Sequence, residues 1–121
     1  MPVRTIIVDD NAGFLAAAKS LLEGPELAMV GEAENSAEAL RVVGEREPEV
    51  VLIDIDLGEE SGFAVAEQLH EAANGRCPTL ILISAHPEED FADLVAESPA
   101  RGFIAKSDLT PNRVVALLPQ S

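Results

Sequence analysis

Tryptophan and tyrosine are absent from these 121 residues, cysteine occurs once, and Lys and Arg together number 8 against 22 Asp and Glu. Each shortage closes off a class of protein. Cys77 alone forms no internal disulfide, so the core must come from apolar packing, which a chain of this length can supply. A net charge of −14 repels phosphate backbones and anionic lipid heads, and no basic patch with interleaved aromatics offsets it. No apolar run approaches the ~20 residues of a membrane-spanning helix. The opening Met1-Pro2-Val3-Arg4 leads almost directly into a short apolar segment, without the h-region of a secretory signal. The expectation is one domain over residues 1–121, located in the cytoplasm, with no direct nucleic-acid or membrane partner.

What the chain does have is apolar sequence, at 47% of residues, arranged in short recurring runs. Thr5 to Val8, Leu27 to Gly31, Val50 to Ile53, Thr79 to Ile83 and Gly102 to Ala105 are brief, rich in β-branched residues and without clear alternation. Such runs suit strands covered on both faces, as in a parallel sheet. Between them lie stripes at helical spacing: Phe14, Leu15, Ala18, Leu21 and Leu22; Ala37, Leu40 and Val43; Phe63, Ala66, Leu69 and Ala73; Phe91, Leu94 and Val95; and Val114, Leu117 and Leu118. Ser36 reads as an N-cap, Thr110-Pro111 as an N-cap followed by proline at the first helical position, and Gly24-Pro25 as a stop. Alternating strands and helices of these lengths predict right-handed crossovers and a three-layer α/β sandwich. No second unit follows the last stripe, so no output domain is expected within these residues.

In open parallel sheets, ligands bind outside the carboxyl ends of the strands, so the residues just after each apolar run matter most. The first run ends in Asp9-Asp10, the third in Asp54-Ile55-Asp56, the fourth in Ser84 and the fifth in Lys106. Carboxylates gathered at one edge repel one another unless a hard cation such as Mg²⁺ takes oxygens from several of them. A lysine and a hydroxyl at the same edge supply a positive point charge and a neutral donor, both suited to phosphoryl oxygens. Taken singly, Asp9-Asp10 could be an N-cap or solvated loop pair, Ser84 a helix cap, Lys106 an ordinary surface lysine and Asp54 an ordinary strand-end carboxylate. Their joint placement at separate strand ends points to phosphoryl transfer.

These residues resemble the receiver domain of two-component response regulators. Ile6-Ile7-Val8-Asp9-Asp10-Asn11 is similar to the family's acidic opening, and Val51-Leu52-Ile53-Asp54-Ile55-Asp56-Leu57 to its phosphoacceptor strand. Gly62 matches its glycine eight residues later, Leu82-Ile83-Ser84-Ala85 its hydroxyl position, and Gly102-Phe103-Ile104-Ala105-Lys106 its lysine strand. The resemblance implies a flavodoxin-like sandwich with strand order 2-1-3-4-5 and five helices. It implies that Asp54 accepts a phosphoryl group from a phosphohistidine on a sensor histidine kinase or phosphotransfer protein. Asp10, Asp54 and the backbone carbonyl of Asp56 would hold Mg²⁺, with Asp9 acting through water. Lys106 and Ser84 would meet the phosphoryl oxygens, making the protein a self-assisting switch rather than an enzyme. Ser84 would then move and Phe103 would follow, remodelling the face formed by the fourth helix, fifth strand and fifth helix for a downstream target, an output domain or a homodimer.

Departures from the family pattern carry expectations of their own. Ser107 replaces the usual proline after the lysine, so a trans link is expected there. Gly58, followed by Glu59 and Glu60, stands where a proline is common, which predicts a looser, more acidic loop. Asp56 and His86 occupy variable positions near the site entrance, where they would tune the lifetime of the acyl phosphate; both also read as surface loop residues. His70 lies on the third helical stripe and carries no role. Two other readings compete: a haloacid-dehalogenase-like phosphohydrolase, suggested by Asp54-Ile55-Asp56, and a pseudo-receiver that binds partners without being phosphorylated.

Overall fold

The computed structural model describes residues 2–73 and 77–119. Five strands form one parallel sheet: β1 (Val3–Val8), β2 (Leu27–Ala33), β3 (Val50–Asp54), β4 (Thr79–Ser84) and β5 (Gly102–Ala105). Their order across the sheet is β2-β1-β3-β4-β5, the expected arrangement. Five helices alternate with them: α1 (Ala12–Leu22), α2 (Ser36–Arg46), α3 (Gly62–Ala72), α4 (Ala92–Glu97) and α5 (Pro111–Ala116). β3 is buried along its whole length, as the absence of alternation in its run requires of a central strand covered on both faces.

Two apolar layers result from the pleat. Ile6, Val8, Val51, Ile53, Leu80 and Leu82 face α2, α3 and α4. Ile7, Leu52, Ile81, Ile83 and Ile104 face α1 and α5. Successive side chains of a strand point to opposite faces, so each strand's last residues are already assigned to a side.

The structure corrects several local expectations. β1 begins two residues before Thr5, and β2 runs on to Ala33, because the β1–β2 register shifts between Thr5 and Ile6 and pairing then continues to Val8 with Ala33. Asn35, not Ser36, caps α2: its backbone is extended and its side chain accepts from the Glu38 N–H at 2.9 Å. Glu38 reaches back to accept from the Glu34 N–H at 3.0 Å, one residue beyond the usual capping box. Thr110 does cap α5, accepting from the Arg113 N–H at 3.2 Å, with Pro111 first in the helix.

The loop after β3 is not loose. Asp56–Leu57 pair antiparallel with Glu60–Ser61, and Gly58 takes a φ of +74° at the turn between them. Glycine reaches that conformation without the Cβ clash that penalises other residues. Glu60 then anchors the hairpin to α2, its carboxylate accepting from both the backbone N–H and the hydroxyl of Ser36. No cis peptide bond occurs among the described residues, so the Lys106–Ser107 link is trans as expected.

Candidate functional site

The alternation of the strands decides which strand-end groups meet. Asp9, Asp54 and Lys106 each lie two residues beyond a side chain of the α1/α5 layer, namely Ile7, Leu52 and Ile104. They therefore emerge on that same side of the sheet. One carboxylate oxygen from each of Asp9, Asp10 and Asp54 lies within 4.8 Å of the others. Asp10 is exposed and leans over the β3 hairpin, where a Cβ placed on Gly58 would sit 3.2 Å from its Oδ2.

The Lys106 ammonium closes the cluster. Its Nζ lies 2.7 Å from Asp9 Oδ2 and donates to Asp54 Oδ2 at 3.2 Å, with the Lys106 side chain only 20% exposed. A third neighbour is apolar: the Phe14 ring, whose centroid is 4.0 Å from Nζ. Asp9 is fully buried; its Oδ1 accepts from the Asn11 N–H at 2.9 Å, while among the described residues its Oδ2 has no partner besides the Lys106 ammonium.

Burial, followed by the charge of Asp9, pushes the Asp54 carboxyl up from 3.8 to about 6, against the opposing pull of the Asp56 N–H and Lys106. Burial alone would lower Lys106, but the hydrogen bond to Asp9 and the charges of Asp54 and Asp9 outweigh it and hold the ammonium above the ordinary lysine range. The site is thus under electrostatic tension of a specific kind: a surplus of buried negative charge around a single ammonium. Three hard carboxylate oxygens close together are the donor set that a small divalent cation prefers, and such an ion would relieve the surplus.

Ser84 belongs to the other side. It follows Leu82 of the α2–α4 layer by two residues, is buried, and accepts from the His86 N–H at 3.0 Å. Phe103 pairs in register with Leu82 and packs half-buried against that same layer. Its ring is 6.5 Å from Phe91, which is 6.4 Å from both Phe63 and the exposed His86 ring. Asp56 is exposed and accepts from the Gly58 N–H at 3.2 Å, so part of its carboxylate is engaged in its own turn. Asp9, Asp10, Asp54, Asp56, Ser84, His86 and Lys106 all line one open cleft of about 290 Å³.

Sequence reasoning reached Gly62 only through the resemblance and passed over the roles of three other contributors. Gly62 approaches the chain so closely that a Cβ there would collide with the Asp54 carbonyl oxygen, which explains the glycine by geometry. Asn11 joins Asp9 to α1, and Phe14 meets Lys106, although its place in a helical stripe marked it only as core. Glu60 was counted as loop charge, and nothing in the sequence signals its pairing with Ser36.

Fold and site together define a doubly wound α/β domain with an acidic, lysine-bearing pocket at the carboxyl edge of its sheet. The chain belongs to the response regulator receiver domain family, whose model matches residues 5–118. A putative transcriptional regulator from Pseudomonas aeruginosa is 30% identical over 105 residues, covering 87% of this chain and 50% of that protein. The receiver domain of the putative response regulator NarL from Mycobacterium tuberculosis is 30% identical with a TM-score of 0.75, covering 95% of this chain and 91% of that one. A LuxR-family response regulator from Aurantimonas sp. SI85-9A1 superposes with a TM-score of 0.81 at 26% identity, over 96% of this chain and 81% of that one. The chain spans about half the length of the curated relatives it matches. Membership in the receiver family sets aside the haloacid-dehalogenase reading. No helix among the described residues is long and apolar enough to cross a membrane.

Proposed function

We propose that this receiver domain is a phosphorylation switch in which Asp54 accepts a phosphoryl group. The observation that carries the reading is the convergence of Asp9, Asp10 and Asp54 oxygens within 4.8 Å, with the Lys106 ammonium on two of them. Asp10, Asp54 and the Asp56 backbone carbonyl would hold Mg²⁺, with the buried Asp9 acting through water. When bound, the ion supplies charge neutralisation for the transferred oxygens.

The chain's own groups do the remaining work. Asp54 Oδ attacks phosphorus and the donor's leaving group departs, giving an acyl phosphate. Lys106 holds one phosphoryl oxygen by charge, and Ser84 turns its hydroxyl from the His86 N–H toward another. That movement vacates space on the α2–α4 side into which Phe103 packs, altering the surface of α4, β5 and α5. Phe103 has no hydroxyl and so reports through packing alone.

Asp56 and His86 border the cleft, where a carboxylate can orient attacking water and thereby set the lifetime of the phosphorylated state. The phosphoryl donor is a sensor histidine kinase or phosphotransfer protein in the cytoplasm. The readout is a target protein, an output domain or a second copy of the chain, without direct nucleic-acid or membrane contact by residues 1–121.

Incubation with acetyl phosphate and Mg²⁺ followed by intact mass measurement tests the proposal. One phosphoryl group gained by the wild type and none by Asp54→Asn is expected. An unmodified wild type would instead identify a receiver that acts by binding alone.

A further inference from the structure

We propose that Phe14 is a positioning residue for phosphoryl transfer, its ring face holding the Lys106 ammonium against Asp9 and Asp54 by cation–π attraction. The inference rests on the phosphoacceptor reading above. Nζ lies 4.0 Å from the ring centroid, well inside the ~6 Å range over which the quadrupole of an aromatic face attracts a cation. The contact is partly desolvated, since the Lys106 side chain is 20% exposed and Phe14 is packed against the α1/α5 core layer.

The ring is held in place by the acidic motif itself. Asp9 Oδ1 accepts from the Asn11 N–H at 2.9 Å, and Asn11 Oδ1 accepts from the Phe14 N–H at 3.0 Å. The Phe14 ring meets Lys106, and Lys106 returns to Asp9 Oδ2 at 2.7 Å. Asp9, Asn11, Phe14 and Lys106 thus form a closed circuit in which the first turn of α1 is the cradle for a lysine from the end of β5.

A ring does for this lysine what a carboxylate cannot. The carboxylates that pair with Lys106 are the same ones that would share their oxygens with a divalent cation, and each neutralises the charge it holds. Phe14 has no oxygen for a hard cation to take and leaves the ammonium's charge free for phosphoryl oxygens. Phe14 therefore keeps Lys106 inside the pocket when the carboxylates are otherwise engaged.

Two measurements test this separately. By NMR of the metal-free protein, the ε-methylene protons of Lys106 should be shifted upfield by the ring, should stay so on addition of Mg²⁺, and should lose the shift in Phe14→Leu. An unshifted wild type, or a shift abolished by Mg²⁺, would overturn the proposal. Phosphorylation by acetyl phosphate should then be followed with mono-, di- and trifluorinated phenylalanine at position 14, which keep the shape of the ring while weakening its quadrupole. The rate should fall stepwise with fluorination, by roughly two- to thirtyfold in all for an attraction of this class. Equal rates across the series, with the wild type still phosphorylated, would overturn the role of Phe14 alone. A wild type that is never phosphorylated would overturn the phosphoacceptor reading and this proposal with it.

Discussion

The two faces of the sheet treat the same edge differently. On the α1/α5 face, Asp9, Asp54 and Lys106 sit over an 11-residue helix whose cap, Asn11, is bonded into the site. On the α2–α4 face, Ser84 and Phe103 look toward α4, which has 6 residues, no side-chain cap and one buried residue, Val95. Glu88, Glu89 and Asp90 form an all-acidic turn before α4, and Leu94 stands 52% exposed. A capped helix anchored by three buried residues, Leu15, Ala18 and Leu22, opens less readily than a short uncapped one with a single buried residue. Chemistry needs groups that stay where they are, and a report needs something that moves. In the proposed switch the fixed groups lie beside α1 and the reporting pair beside α4; the contrast is between these two helices, since the α2–α4 face also carries the capped 11-residue α2 and α3 and the α1/α5 face the 6-residue α5.

The largest effect is expected at Gly62, the first residue of α3, whose backbone abuts the end of β3 beside Asp54. A methyl group there would collide with the Asp54 carbonyl oxygen and meet the Ile55 Cα at 2.7 Å, both backbone atoms with no rotamer to yield. Gly62→Ala must push α3 away from β3, and because no rotamer can yield the cost should reach about 3 kcal/mol, the upper end of the usual overpacking range. Urea denaturation should show a loss of that size. The same substitution at Gly44, on the outside of α2 with no atom within 4 Å of its added Cβ, should be neutral or stabilising.

A second, smaller effect comes from the surplus charge on the fixed face. Asp54 titrates near 6 in the folded chain against 3.8 ordinarily, so between these values the folded state binds more protons than the unfolded state. Stability contributed by this group therefore falls as pH rises from about 4 to about 6, by roughly 1–3 kcal/mol. Asp54→Asn abolishes that dependence: its stability advantage over wild type should be close to zero below pH 4 and fully developed above pH 6. Mg²⁺ should return part of the missing stability to the wild type at neutral pH and little to the variant. Thermal melts of both proteins across this range, with and without the ion, read the difference. Parallel wild-type and variant curves would mean that the carboxylate is not under tension.

How much of this was legible beforehand follows from which physics writes itself into local sequence. Burial on both faces does, and Val50 to Ile53, like the other short runs, announced a strand covered on both sides. Strand ends do too, because a polar residue after an apolar run stands out, which is how Asp9, Asp54, Ser84 and Lys106 came into view. What stayed hidden was decided by partners distant in the chain. The extension of β2 to Ala33 depends on a register shift in β1. Leu21 fits a helical stripe by spacing yet is 54% exposed, because it falls at the margin of the face that Leu15, Ala18 and Leu22 bury. Phe14 carries no mark that separates a core ring from one beneath an ammonium, and Glu60 none that it will bind Ser36.

The smallest effect compares the helix starts directly. Asn11 satisfies the Phe14 N–H and also donates its own N–H to Asp9, so its side chain is part of a bonded corner. Asn11→Ala leaves the Phe14 N–H without that acceptor and should cost about 1 kcal/mol, the usual value of a lost N-cap. Asp90, exposed in the turn that leads into α4, has no comparable side-chain bond to the helix start. Asp90→Ala should therefore lie within about 0.5 kcal/mol of wild type, as surface substitutions usually do. Hydrogen exchange sharpens the contrast: in the wild type, amides of Ala92–Glu97 should exchange well before those of Leu15–Leu22. In Asn11→Ala the first turn of α1 should move toward the behaviour of α4 while α4 itself is unchanged. If both helices instead exchange together through global opening, the division between a fixed face and a mobile one does not exist, and Ser84 and Phe103 would have to signal through a rigid surface.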